Sequence, residues 1–227
     1  MRRTRAVVIP EPGRVELRDI ALKEVGPTDV LIQTAFTSIS AGTERMLLAG
    51  QMPHPQLRLP VVPGYETVGR IEAIGREVDP AWMGRQVYVG GALCYADYNA
   101  AWGGQSAELF TDVSRVVPLE GMAPELGVLL ALAATALHGV ERAAIGPDRR
   151  VLVLGQGPVG QLAARFAKGD GAWVAVCDRS ASRLTRSVGD VITEVEEAGL
   201  GEALRDALPE PVDVIVEATG SMAALTE

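Results

Sequence analysis

The stretch GQGPVGQLAARFAKGDGAWVAVCDR, residues 155–179, has the residue types and spacing to hold a dinucleotide. Gly155, Gly157 and Gly160 stand at the glycine places of G-x-G-x-x-G, with Gln156, Pro158 and Val159 between them. The first glycine permits a tight turn, the second lets a pyrophosphate approach the backbone, and the third lets a helix pack closely on a strand. A helix starting there offers unpaired N–H groups and a partial positive charge to the phosphates. Asp178 ends the next apolar run, where a carboxylate accepts both ribose hydroxyls of an adenosine and repels a 2′-phosphate. NAD is therefore favoured over NADP, a preference that Arg179 softens. The glycine motif alone is weak evidence. Strand, motif, helix, second strand and terminal acid in this order make it specific; the bland alternative is a βαβ unit with a glycine-rich turn.

Those residues need a parallel sheet to position them. Residues 151–154 and 173–177 read as its first two strands, separated by a helical segment running to Lys168. A third strand is expected near 190–192, a helix over 201–208 and a fourth strand over 212–217, beside the first. A doubly wound nucleotide domain has six strands, so the domain is expected to be incomplete at Glu227, with one edge of the fourth strand uncovered.

The first half reads differently. Residues 5–9 and 14–18 form an expected hairpin around a Pro/Gly turn, and 29–36, 67–74, 86–89, 107–111 and 115–117 have strand composition, with Gly69 and Gly75 as bend points. Three stretches do not read as scaffold. Residues 37–50 pass from a polar loop into a short helix capped by Ser40 or Thr43, and 59–69 form a proline-pinned turn that delivers Tyr65 and Glu66. The glycine-bounded loop 90–104 carries Tyr95, Tyr98 and Trp102, which either make a flat surface for a large ring or pack back on their own domain. From Pro124 a helical pattern runs to Ala143, interrupted at Gly139 and halted by Gly146-Pro147, so domains are placed at 1–122 and 123–227.

Composition excludes more than it assigns. With 48% hydrophobic and 22% charged residues the chain buries a sizeable core, and a net charge of −8 argues against nucleic acid or an anionic membrane surface as a main partner. Cys94 and Cys177 suggest neither a disulfide framework nor a CxxC metal site, which fits a reducing, cytoplasmic setting. The longest apolar run, 127–137, falls short of the roughly 20 residues of a membrane span. His54, between prolines, reads as a loop residue.

A β-rich first half, the Gly42-Thr43-Glu44 loop, the Pro63-Gly64-Tyr65-Glu66 turn, a linking helix and then the nucleotide unit resemble the medium-chain dehydrogenase/reductase superfamily over the whole chain. More narrowly, SISAGTERMLLAGQMP, LPVVPGYETVGR and GVLLALAATALHG are similar to the family of 3-hydroxyethyl bacteriochlorophyllide a dehydrogenase. The resemblance implies an α/β protein: a GroES-like β-rich catalytic domain followed by an incomplete Rossmann domain with a doubly wound parallel sheet. It also implies a small-molecule substrate, a tetrapyrrole whose 3-hydroxyethyl group is oxidised to acetyl with NAD, and a homo-oligomer at full length.

The departures from zinc-dependent members matter. Where those have a Cys before the GT(D/E) triplet, a His in the turn and a Cys or Asp on the linking helix, this chain has Ala41, Tyr65 and Ala131; Cys94 stands alone in place of a four-Cys lobe. No metal is expected. The resemblance places Thr43 where a hydroxyl relays the substrate proton, and makes Tyr65 and Glu66 the next candidates; alternatively Glu66 makes a structural salt bridge and Tyr65 fills the zinc cavity. Met46 stands where those enzymes carry a further relay histidine. Thr135 corresponds to a threonine that touches the nicotinamide, and Thr219 and Gly220 to the turn beside its ribose. His138, three residues after Thr135, is either a core histidine or a catalytic one. The rival readings are a zinc-free NADPH-dependent quinone or enone reductase, against which Asp178 speaks, and a non-catalytic dinucleotide-binding protein.

Overall fold

The polar turn after Val8 folds β1 (Arg3–Val8) back on β2 (Glu16–Ala21), Val8 facing Glu16, as an antiparallel hairpin. In β1, Thr4, Ala6 and Val8 are buried and Arg3 and Arg5 exposed, the period of two that puts one strand face on a core. The computed structural model describes residues 2–53, 57–195 and 200–221, so His54 lies outside the described residues.

Beyond the hairpin come β3 (Asp29–Thr37), α1 (Thr43–Leu48), β4 (Val61–Val62), β5 (Thr67–Ile74), β6 (Gln86–Val89), β7 (Asn99–Ala100), β8 (Glu108–Asp112) and β9 (Val116–Pro118). Five of these strands make one antiparallel sheet in the order β8-β3-β5-β6-β9, and β4 pairs with β7 in parallel. Val30, Ile32, Ile71, Val87, Val89 and Leu109 fill its core together with Tyr95 and Cys94.

The long helix expected from Pro124 is two: α2 (Pro124–Gly127) and α3 (Leu130–Arg142). The break falls at Val128 and Leu129 because these turn into a cluster with Val68, Tyr88 and Leu119. Gly139 does not interrupt α3; its missing side chain faces open space, and nothing there bends the helix. Two compact units result, Met1–Ala131 and Leu132–Glu227, dividing within α3 rather than where the sequence periodicity changes.

In the second unit β10 (Arg150–Leu154), α4 (Pro158–Gly169), β11 (Trp173–Asp178), α5 (Ala181–Leu184), β12 (Val191–Glu194), α6 (Leu200–Ala207) and β13 (Val214–Glu217) follow in turn. The four strands are parallel in the order β12-β11-β10-β13, which sets the fourth beside the first as expected. The two central strands, β10 and β11, are covered on both faces and so are buried along nearly their whole length rather than alternating, whereas β12 alternates half-buried and exposed. Val151, Val153, Val174 and Val176 meet Ala163, Ala164 and Ala167 of α4, while Leu152, Leu154, Ala175 and Cys177 meet Leu200 of α6. The sheet is thus wound on both sides, and β13 leaves Ile215 exposed at its edge.

Both cysteines lie in these cores. Burial pushes both thiols up, Cys177 to about 11, so little thiolate exists to react at neutral pH. Iodoacetamide at pH 8 should alkylate the folded protein about 100-fold more slowly than the denatured one. Rapid modification of the folded chain, followed by mass spectrometry, would contradict this burial.

Candidate functional site

Most of the nucleotide-binding candidates stand at the C-terminal ends of parallel strands. Gly155 follows β10, Asp178 closes β11, and Thr219 and Gly220 follow β13. With β11 on one side of β10 and β13 on the other, β10 is where the winding reverses, the point at which doubly wound sheets open a crevice for ligands.

The three glycines have separate jobs. Gly155 has φ +87, and a Cβ on it would lie 2.9 Å from the backbone of Ala218 and Thr219. At Gly160 a Cβ would fall 1.8 Å from the Gly155 carbonyl oxygen, so only a glycine lets α4 start this close to β10. At Gly157 it would meet nothing within 4 Å, and the backbone is open there to an approaching group. Pro158 takes the first turn of α4, where a missing N–H costs nothing, and Val159 packs half-buried against the α4 side of the sheet. These residues fit a dinucleotide's pyrophosphate.

Asp178 has a duty that the sequence pattern did not contain. Its carboxylate is buried and accepts the backbone N–H of Gln156 at 2.6 Å and of Ser180 at 2.8 Å, with Arg183 at 3.4 Å. Burial alone would raise this acid; the two N–H groups and the Arg183 guanidinium outweigh it and hold the carboxyl below its ordinary range. The ionised group therefore ties β11 to the glycine turn. Gln156 is fully buried: its Nε2 donates to the Gly155 carbonyl at 3.1 Å, while its Oε1 has no partner among the described residues. Nothing in the sequence singled it out, since it fills a position the motif leaves unspecified.

Arg179 is exposed beside Asp178. Glu217 accepts the N–H of Thr219 at 2.6 Å and of Gly220 at 3.2 Å, and the Thr219 hydroxyl, so this acid shapes the turn after β13. Thr135 lies exposed on α3, as does His138, which rules out the core-histidine reading.

In the first unit Thr43, Tyr65 and Glu66 divide into a pair and a single residue. The Tyr65 hydroxyl donates to Thr43 Oγ1 at 3.4 Å at the start of α1. Neither expected side chain caps that helix at its first position, which is Gly42; the Ser40 hydroxyl accepts the Thr43 N–H at 3.4 Å instead. Glu66 is 1% exposed, its Oε2 accepts the Ser38 hydroxyl, and its Oε1 has no partner among the described residues. Ser38, rather than the cation of a structural salt bridge, holds this carboxylate.

A second buried acid adjoins it. Glu44 accepts the Ser40 N–H at 2.7 Å and Gln105 Nε2 at 3.4 Å, while Gln105 Nε2 also donates to the Ser38 carbonyl at 2.9 Å and its Oε1 accepts the Thr37 hydroxyl at 2.6 Å. Burial, aided by the charge of Glu66, raises the Glu44 carboxyl against the opposing bonds from Ser40 and Gln105. Tyr88 donates to the Tyr65 carbonyl at 2.7 Å, its phenol pushed up to about 12 by burial and then by Glu66 and Tyr65. Ser38, Glu44, Tyr88 and Gln105 were not read as site residues. Glu44 is visible in the Gly-Thr-Glu triplet, but Gln105 carries no motif.

The three loop aromatics do not make one flat surface. Tyr95 belongs to the core, donating to the Gly103 carbonyl at 2.5 Å, and Tyr98 is half-buried, accepting Arg18 at 3.2 Å. Trp102 alone of the three is exposed, its ring centroid 5.2 Å from that of Tyr65 in an edge-on arrangement. Among the described residues no three His, Cys, Asp or Glu side chains converge as metal ligands would, and no helix is long and apolar enough to cross a membrane.

Residues 26–123 match the alcohol dehydrogenase GroES-like domain family, and the homologues of the chain include medium-chain dehydrogenases. One is the 2-desacetyl-2-hydroxyethyl bacteriochlorophyllide A dehydrogenase of Cereibacter sphaeroides, 35% identical over 171 residues, 72% of this chain and 52% of that protein. The protein of the same name from Rhodobacter capsulatus is 34% identical over 200 residues, 85% of this chain and 62% of its own. The chain thus spans between half and two thirds of the length of these relatives. Among solved structures, the alcohol dehydrogenase from Thermus sp. ATN1 superposes with a TM-score of 0.79 at 26% identity, covering 98% of this chain and 72% of that one. Other dehydrogenases of the same fold have been solved with NADH, with NADP and with NAD.

Proposed function

We propose that this protein is an NAD-dependent, zinc-independent dehydrogenase that oxidises a secondary alcohol, the 3-hydroxyethyl group of a bacteriochlorophyllide, to an acetyl group in the cytoplasm. The observation that carries it is the gathering of Gly155–Gly160, Asp178 and the Thr219–Gly220 turn at the C-terminal ends of three adjacent parallel strands. Gly157 and the start of α4 hold the pyrophosphate, Asp178 the adenosine ribose, and Thr135, Thr219 and Gly220 the nicotinamide half. Bound there, NAD supplies an acceptor for the hydride that leaves the alcohol carbon.

Thr43 Oγ1 accepts the substrate's hydroxyl proton as its own proton passes to solvent, and the Tyr65 hydroxyl, donating to Oγ1, orients it. Glu66, buried with Ser38 and adjoining Glu44, contributes its negative field. Ala41, Tyr65 and Ala131 offer no zinc ligand set, and the chemistry offers a substitute. A carbinol carbon attached to a conjugated macrocycle spreads the positive charge that develops as hydride leaves. A second reading, reduction of a quinone or enone with NADPH, draws on Arg179 and Arg183 beside the adenosine-ribose carboxylate.

Incubation with NAD and a hydroxyethyl bacteriochlorin should give the absorption shift of an acetyl group joining the ring conjugation, and exhaustive chelation should leave the rate unchanged within about twofold. NADPH consumption with quinones, and none of NAD with the bacteriochlorin, would favour the second reading. A rate abolished by chelation and restored by zinc would end the zinc-independent one.

A further inference from the structure

Trp102 has φ +68, a left-handed conformation that a bulky side chain rarely adopts. The other non-glycine residue with positive φ among those described, Ala144, lies just past α3, where a left-handed residue closes a helix end. No helix ends at Trp102. Its backbone is pinned whatever the side chain: its carbonyl accepts the Ala92 N–H at 2.6 Å, and the Val62 carbonyl accepts the N–H groups of Ala101 at 2.9 Å and Gly103 at 3.1 Å. Glycine or asparagine would sit here with less strain, so the backbone does not call for an indole. Trp102 also stands outside the hydrophobic clusters of its unit, 38% exposed. Its one aromatic partner among the described residues is Tyr65, edge-on with planes at 69°, and the Tyr65 hydroxyl donates to Thr43.

We propose that Trp102 is a specificity-determining residue that presents its ring to a planar, conjugated substrate beside the Thr43–Tyr65 pair, an inference that rests on the function proposed above. Strain kept where neither fold nor core repays it marks a side chain held for a ligand. An indole offers a wide, rigid apolar face with few torsions to freeze. In an edge-on contact the rim of one ring meets a face of the other, so the two rings do not stack flush and Trp102 keeps 38% of its surface open to a ligand. Two apolar side chains near Thr43 are exposed as well, Ile39 at 75% and Met46 at 41%, as suits a substrate with a large hydrophobic ring rather than a small hydrated alcohol.

The test compares the wild-type chain with Trp102→Asn, which accepts the left-handed backbone, and Trp102→Phe, which keeps a ring. Each is titrated with a hydroxyethyl bacteriochlorin, followed by the shift of its long-wavelength band, and melted separately. Trp102→Asn should bind roughly tenfold more weakly while melting no lower than wild type, and Trp102→Phe should stay within about threefold of wild-type affinity. Unchanged binding by Trp102→Asn overturns the role of Trp102 and leaves the proposed function standing. Weaker binding together with a lowered melting temperature makes the indole structural and overturns it too. If the wild type itself does not bind the bacteriochlorin, the proposed function and this inference fall together.

Discussion

Gly160→Ala should abolish dinucleotide binding and lower the melting temperature of the nucleotide unit. The new Cβ would lie 1.8 Å from the Gly155 carbonyl oxygen, far inside contact distance. Gly155 has little room to yield: its N–H donates to the Cys177 carbonyl at 2.9 Å, and the space where its side chain would stand is already taken by the backbone of Ala218 and Thr219. Relief must come from α4 lifting away, which uncovers Ala163, Ala164 and Ala167. Overpacking against backbone without a flexible neighbour costs about 3 kcal/mol. Calorimetric titration with NAD should show at least a hundredfold loss, and circular dichroism should show earlier melting. Gly157→Ala makes the contrast, because its Cβ meets nothing within 4 Å. It should melt like the wild type and still bind NAD less well, since the added methyl fills the side left open to the ligand. If both variants behaved alike, the three glycines would not have the separate duties assigned to them.

Asp178→Ala should lower the ratio of NAD to NADP affinity about tenfold or more, the worth of a hydrogen bond to a charged group. Both affinities should drop to some extent, because the carboxylate also holds the N–H groups of Gln156 and Ser180. The ratio is therefore the decisive reading. Removing the carboxylate removes the repulsion of a 2′-phosphate and leaves Arg183, 3.4 Å from the carboxylate in the wild type, without its acidic partner. An unchanged ratio would remove the basis for preferring NAD. The same side chain sets an acid limit on the wild type. A carboxyl depressed in the folded state contributes stability that is fully present above its unfolded value, near pH 4, and lost as pH falls through the folded one. Asp178→Ala should flatten that part of the acid melting curve.

The parallel half of the fold was legible because its strands are short apolar runs broken by glycine, a pattern with few other readings. The antiparallel strands were legible where alternation or bounding turns marked them, as at Thr67–Ile74 and Gln86–Val89. The pair Val61–Val62 with Asn99–Ala100 was not, because two-residue strands exist only by virtue of their partners. The break between α2 and α3 was missed for a similar reason: Gly139 is the weaker helix former, but tertiary packing of Val128 and Leu129 decides where the chain bends. In the candidate site, spacing brought out the glycines and Asp178. It could not bring out Gln105, which reaches Ser38 and Glu44 across more than sixty residues of chain.

That five-stranded sheet also sets a timetable. β3 lies between β5 and β8, and Asp29 faces Asp112, 83 residues further on, whereas Leu152 in the parallel sheet faces Ala175 only 23 residues on. A ribosome adding about 5–20 residues per second takes roughly 4–17 s to cover the longer interval. Throughout it the β8-side edge of β3 has its N–H and C=O groups bare and Val30 and Ile32 close at hand, a template for any neighbouring nascent chain. The first unit is therefore the one whose yield should respond to translation speed and to chaperones that shield strand edges. The nucleotide unit closes its first strand pair within a few seconds of its appearance, and the other edge of β10 waits a shorter interval, 63 residues from Val151 to Val214, for β13.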